Sequence, residues 1–228
     1  MIFGNHDESY LPSIASNKWN MIKYIETLDG AYARSGPGDI GGVGNYDLSF
    51  KAPTDGFWGS ANKEVLRTYY MDTGKSGTVT PAQNDYMKSL AASYTSQNVP
   101  ALMFFHIPIP EYQEFAGVGQ GEKGEKISSK EQSGLFQNMV EMGDVVASFC
   151  GHDHMNDFCF KKKDTKINLC YGGAVGYGAA YGKAGHARRA RVIEWNLTPK
   201  KETITTWQYM HSQDNSNRPH YTLYERNY

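Results

Sequence analysis

Residues 143–154 read GDVVASFCGHDH, and the fold is decided by how that run divides. VVASFC at 145–150 is a short, continuous apolar stretch, as expected for a strand buried on both faces of a parallel sheet. It stops at Gly151, and His152, Asp153 and His154 follow at once. Two histidines at i and i+2 can aim both imidazoles into one cleft, although a loop can carry that spacing by accident. The same arrangement occurs twice earlier. ALMFF at 101–105 is a second buried run and ends at His106, while MIF at 1–3 reads as the tail of a strand that delivers GNHD at 4–7. In layered α/β folds the reactive crevice lies outside the carboxyl ends of the strands. Three strand ends bearing His and Asn therefore make one candidate site.

Singly, each segment has a plainer reading. A lone histidine after a strand is commonly a hydrogen-bonded structural residue, and GNHD has the composition of an ordinary turn. Jointly, the three segments are far more specific.

The rest of the chain supports alternating strands and helices. Trp19, Ile22, Ile25 and Leu28 recur at three-residue steps and predict a helix over 17–28. NYDLSF at 45–50 and VLRTYYM at 65–71 read as strands. Thr80-Pro81-Ala82-Gln83 combines a capping threonine, a proline at the first helical position and a glutamine that completes a capping box. That predicts a helix to about residue 96 with Tyr86, Met87, Leu90 and Tyr94 inward. Ser129 and Gln132 predict a second capping box, for a helix burying Leu135, Phe136, Met139 and Val140. Residues 111–128 read as a long polar loop, and strands are expected near 157–161, 166–171, 190–197 and 202–208. The residues from His211 read as a polar tail. The domain expected is thus 1–209, followed by a tail over 210–228.

The 228 residues carry a net charge of −1, which gives no general reason to expect nucleic acid or a membrane surface as partner. The longest apolar run, VPALMFFHIPIP, is broken by His106 and by prolines, so no membrane span is expected. The first residues lack a basic or apolar leader, a pattern that leans towards the cytoplasm if Met1 is the natural start. Three cysteines are too few for a disulfide scaffold. Cys159 and Cys170 can face each other across a hairpin, either bridged or as two packed thiols.

With these segments in place, the chain resembles the calcineurin-like metallophosphoesterases, and in particular the purple-acid-phosphatase-related proteins of plants and fungi. GNHD, FFHIPIPE and GDVVASFCGHDHMNDFC match the family's later blocks in order, and LCYGGAVGYGAAYGKAG with RRARV resembles the plant-type subgroup. The resemblance spans residues 1 to about 197. It implies an α/β sandwich of two mixed β-sheets flanked by helices. It also implies two metal ions (Fe, Zn or Mn), bridged by a hydroxide that attacks phosphorus directly, without a covalent enzyme intermediate. Two ions roughly 3.5–4 Å apart can clamp the attacking and leaving oxygens of such a displacement. By the same resemblance Asn5, His106 and His152 are ligands of one metal and His154 of the other. His6 is the histidine that approaches the phosphoryl group and leaving oxygen, where it can stabilise developing charge or protonate the alkoxide. Asp7 either orients His6 or simply caps the turn.

One departure is as informative as the match. The family places an aspartate–any–histidine block, and a glycine–aspartate block that supplies the carboxylate bridging both metals, ahead of GNHD. Here almost nothing precedes GNHD, so the chain is expected to be an N-terminally truncated form that lacks the first βαβ portion. Asp39 in GPGDIGG and Asp144 in GDV look like the second block but follow GNHD. Asp39 is expected in a loop and Asp144 at a helix end before a strand.

The implied substrate is a phosphate ester, with phosphate monoesters, including phosphoproteins, favoured. Two alternatives stand beside it: an inactive or impaired fragment binding at most one metal, and a phosphodiesterase or nucleotide hydrolase of the same superfamily. Among further features, Arg188, Arg189 and Arg191 form a basic cluster that can hold phosphate oxygens or serve as a solvated lead-in to a strand. Tyr177 and Tyr181 can wall a cleft or pack on the surface. Cys150, His152, His154 and Cys159 fit no usual structural zinc spacing.

Overall fold

A computed structural model describes residues 1–8, 17–93, 98–177 and 185–228. Its centre is a six-stranded mixed sheet in the order β1-β2-β3-β4-β6-β5, built from β1 (Tyr46–Lys51), β2 (Glu64–Tyr70), β3 (Ala101–Phe104), β4 (Val145–Cys150), β5 (Cys159–Lys161) and β6 (Asn168–Tyr171). The four inner strands β2, β3, β4 and β6 run parallel, and β1 and β5 close the edges antiparallel. A second sheet, β7 (Arg189–Leu197), β8 (Lys201–Met210) and β9 (Tyr221–Asn227), is wholly antiparallel where a mixed sheet was expected. Its strands follow one another through short connections, and consecutive hairpins can only pair antiparallel.

Alternation along the strands builds two cores. Ala101, Met103 and Phe105 join Tyr69, Met71, Leu169 and Tyr171 against helices α2 (Pro81–Ala92) and α3 (Leu135–Met142). Leu66, Leu102, Val146 and Phe149 face the other way, onto Ile204, Leu223 and the half-buried Ile193 and Trp195 of the second sheet. The layers are helices, mixed sheet, antiparallel sheet. On the second-sheet side an aromatic ladder crosses four strands: Tyr46 on Tyr70 at 4.5 Å, Tyr70 on Phe104 at 5.4 Å, Phe104 on Phe149 at 5.1 Å. The residues are register partners at the carboxyl ends of β2, β3 and β4, so the ladder locks the strand ends from which the site hangs.

The capping box of α2 forms as the sequence requires: Gln83 N–H donates to Thr80 Oγ1 at 3.0 Å and Thr80 N–H to Gln83 Oε1 at 2.9 Å. Met87 is inward and Tyr86 and Leu90 pack against the core; Tyr94 lies outside the described residues. Other local expectations are corrected. The first helix, α1, spans Lys18–Ile25, and only Ile22 of the proposed apolar face is buried. Trp19 lies open, with Gly38 close by, and Leu28 is exposed in the following turn. Ser129 and Gln132 cap nothing, because α3 starts at Leu135 behind Gly134 in a left-handed conformation. Their side chains bond Gln113 and Glu111 instead, and Val140 is exposed. Residues 1–3 form no strand. Phe3 is buried, while the Met1 backbone bonds the Tyr46 hydroxyl. The segment read as a tail contains β9, whose Leu223 is buried in the inter-sheet core. Leu223 is its only aliphatic residue, which hid its strand periodicity. Cys159 and Cys170 are register partners of β5 and β6 and are joined as a disulfide.

Candidate metal centre

Because β3 and β4 are parallel neighbours with Phe104 opposite Phe149, the residues that leave them emerge side by side. Phe105 N–H donates to Phe149 O at 3.1 Å, and Gly151 N–H to His106 O at 3.0 Å. The backbone ladder thus continues past the strands and fixes the root of His106 against the root of His152. GNHD arrives as a tight turn, closed by Gly4 N–H donating to Asp7 Oδ2 at 2.6 Å. A β-carbon at Gly4 would stand 3.2 Å from Cε1 and Nε2 of His106, so the missing side chain lets the turn press onto the imidazole.

Asn5 Oδ1 then lies 3.0 Å from His106 Nε2 and 3.2 Å from His152 Nδ1. The two rings meet edge to face, centroids 5.2 Å apart. Burial drives the His106 pKa down to about 4, helped by the charges of His152, His154 and Lys18 and opposed by Asp7. Burial also lowers His152, with His154 and His6 adding to the effect and Asp153 opposing it. Both rings are thereby held neutral at ordinary pH, the form that ligates a metal. His6, Asp7 and His154 all act electrostatically on these two rings, so the structure brings all six sequence-picked residues to one edge of the sheet. His6 and Asp7 are exposed there and His154 is half-buried.

By donor chemistry these residues suit a metal ion. His106 Nε2 and His152 Nδ1 each hydrogen-bond the Asn5 amide oxygen, and two imidazoles with an amide oxygen are donor types suited to Zn, Fe or Mn. Among the described residues no group of three or more His, Cys, Asp or Glu is placed to hold a metal. Asp39 is exposed in a loop. Asp144 sits at the amino end of β4, away from the site, where it accepts from Arg67 at 2.9 Å and from the Tyr69 hydroxyl at 2.6 Å. Of the two readings of Asp7, the hydrogen bond to Gly4 is turn capping. A structural zinc built on Cys159 is excluded by the disulfide.

The basic cluster is mostly architecture. Arg189 pairs with Asp157, and Arg191 donates to the carbonyls of Tyr171 and Asp157. Arg188 lies 5.6 Å from the ring of Tyr177, which is exposed and meets His211 edge-on. Tyr181 lies outside the described residues.

Sequence reasoning missed two groups beside the site. Lys18 and Asp72 form a buried ion pair at 2.9 Å, with Asp72 also accepting from the Val43 and Gly74 amides. Asp72 carries the signal used for the other segments, a polar residue directly after an apolar strand. Asp153, the third residue of GHDH, accepts from Ser128 N–H at 3.1 Å, from the Ser128 hydroxyl and from Tyr171 OH at 2.6 Å. No local pattern in the sequence links those three positions.

No family model matches the chain. Curated relatives do. The chain is 34% identical over 238 residues to "Probable inactive purple acid phosphatase 29" of Arabidopsis thaliana, across 91% of this chain and 59% of that protein. It is 35% identical to "Probable inactive purple acid phosphatase 28" of the same plant, across 91% of this chain and 58% of that one. To "Phosphatase DCR2" of Saccharomyces cerevisiae it is 29% identical, across 91% of this chain and 38% of that protein. The chain therefore spans a little over half the length of the plant relatives. Taken with the layered fold and the order of its strand-end motifs, this similarity to purple acid phosphatases and a yeast phosphatase over nine-tenths of the chain supports a purple-acid-phosphatase-related metallophosphoesterase.

Proposed function

We propose that the carboxyl edge of the sheet is a phosphoric-ester hydrolase site that holds one metal ion through Asn5, His106 and His152, with His154 and His6 beside it. The observation that carries this reading is the approach of both imidazole nitrogens to Asn5 Oδ1, at 3.0 and 3.2 Å. A bound ion supplies Lewis-acid polarisation of a phosphoryl oxygen. The chain's own residues do the rest. Burial keeps His106 and His152 neutral and in place. The Gly4–Asp7 hydrogen bond holds the turn that presents Asn5. His6, next to Asn5 and exposed, delivers a proton to the leaving alkoxide of a phosphate monoester. The substrates are phosphate monoesters, phosphoproteins among them.

A second reading is favoured by the absence, among the described residues, of any group of three or more His, Cys, Asp or Glu placed to hold a metal and by the "probable inactive" names of the plant relatives. In it the chain binds at most one ion and turns over slowly or not at all. A metal count on purified protein, paired with hydrolysis of an aryl phosphate in added Mn, Zn or Fe, separates the two. One ion per chain, lost in His152→Ala, with slow hydrolysis is the expected result. Brisk metal-dependent turnover abolished in His152→Ala sinks the impaired reading. No ion bound in any of these metals sinks the hydrolase reading and leaves the impaired one standing.

A further inference from the structure

His152 has φ of +71°, a left-handed conformation that is strained for an L-residue with a bulky side chain and persists only where its surroundings over-determine it. Asp153 N–H reaches back to Gly151 O at 2.9 Å, so residues 151–153 make a three-residue turn with His152 at its apex, the rare positive-φ kind. Asp153 is the residue that closes this turn, and its side chain is buried and fully engaged. It accepts from both donors of Ser128, on the last stretch of the 115–128 loop, and from Tyr171 OH at the end of β6. Two separate elements therefore grip Asp153 while its own backbone grips His152.

The same loop is fastened onto 153–159 along its length. Glu122 N–H donates to Asp157 Oδ1, Glu125 N–H to Asn156 Oδ1, and Met155 N–H to Glu125 Oε1. Of these fastenings, those at Asp153 are the ones adjacent to His152. From this we infer that Asp153 is a positioning residue: through Ser128 and Tyr171 it holds His152 in its left-handed conformation, and so aims Nδ1 at Asn5. The inference deepens the single-metal reading above and rests on it for its consequence in metal binding.

Asp153→Asn keeps the size of the side chain but exchanges one acceptor oxygen for a donor that faces Tyr171 or Ser128. Asp157→Asn is the control: a buried acid of the same segment, paired with Arg189 and Glu122 N–H, with no bond to the turn at His152. Two measurements read the outcome. Zn affinity by calorimetry is expected to fall about 10–100-fold in Asp153→Asn, the usual effect of removing a group that orients a ligand. It is expected to stay within about threefold in Asp157→Asn, whatever the loss of thermal stability. In the metal-free proteins, the cross-relaxation between the His106 and His152 ring protons should be present in the wild type and in Asp157→Asn and absent in Asp153→Asn. Wild-type affinity or an intact ring contact in Asp153→Asn overturns the proposal. So do equal losses in both variants that track their stabilities. If the wild-type chain binds no Zn, the metal reading fails, and the ring contact alone still decides whether Asp153 positions His152.

Discussion

The two ends of the parallel sheet treat polar side chains in opposite ways. At the amino end, Glu64, Arg67 and Tyr69 are buried and pair with one another and with the largely covered side chain of Asp144. Arg67 donates to Glu64 through Nε at 2.8 Å, to Tyr69 OH at 2.8 Å and to Asp144 Oδ2 at 2.9 Å. At the carboxyl end, His106 Nε2 and His152 Nδ1 both hydrogen-bond the Asn5 amide oxygen, at 3.0 and 3.2 Å. The first arrangement pairs charge with charge. The second gathers neutral groups of ligand-capable chemistry at the strand ends. Buried charge therefore does not by itself mark a site; ligand-capable groups gathered where strands leave the sheet do.

That contrast is broken most severely at Arg67. Removing its guanidinium strands two buried carboxylates, and losing one partner of a buried ionic network costs about 3–5 kcal/mol. Arg67→Ala is expected to lower unfolding free energy by that order in urea melts. A loss under about 1 kcal/mol would mean that the amino-end network is not a closed unit.

The opposite end should respond in function instead. His106→Ala removes a ligand without leaving a buried charge, so its metal affinity should fall by more than the roughly 10–100-fold that loss of an orienting hydrogen bond causes. Its urea midpoint in the metal-free state should change less than that of Arg67→Ala. Calorimetric titration with Zn measures the first, and the melts the second. Unchanged affinity in this variant would remove His106 from the ligand set.

Much of this was legible in the residues themselves. The apolar runs before His106 and His152 fixed two parallel strands, and their abrupt polar ends fixed the site edge, because a strand buried on both faces must be apolar until it leaves the sheet. Thr80, Pro81 and Gln83 fixed the start of α2 for equally local reasons. The misreadings share a different cause. α3 begins behind a left-handed Gly134, and the Ser129 and Gln132 side chains pair with Gln113 and Glu111 instead of capping it, contacts that no local pattern shows. β9 reads YTLYERN, in which Leu223 is the only aliphatic residue, so its pairing with β8 reveals it as a strand. The grip of Ser128 and Tyr171 on Asp153 joins positions 25 and 18 residues away, beyond the reach of any local pattern.

The pH response sharpens the comparison with a smaller effect. In the metal-free chain the folded His106 pKa is about 4, chiefly through burial, against 6.5 for a free histidine. Above pH 6.5 the ring is neutral in both states and contributes no pH dependence. Between 6.5 and about 4 the unfolded chain takes up the proton first, so stability falls as pH drops, by at most about 1.4 kcal/mol per unit. Below about 4 both states are protonated and this contribution levels off. The difference between wild type and His106→Ala across that window, in urea melts at several pH values, should show this slope in the wild type alone. Parallel curves would mean that His106 is as well solvated as a free histidine.

The smallest expected effect concerns the two glycine–aspartate pairs, which look alike in sequence. Asp39 is exposed in the 30–44 loop, and its carboxylate is far more cheaply hydrated than paired. Asp144 is nine-tenths buried in its side chain and bonded to Arg67 and Tyr69. If neither serves a metal, Asp39→Ala should leave stability within about 0.5 kcal/mol, as surface changes usually do, and Zn affinity unmoved. Asp144→Asn should lower stability through the Arg67 network yet also leave Zn affinity unmoved. A fall in affinity for either variant, measured at a temperature where both remain folded, would assign that carboxylate to the metal. It would also mean that the two ends of the sheet are not chemically separate. The pair thus tests whether a motif match or its place in the sheet governs function, and the geometry favours place.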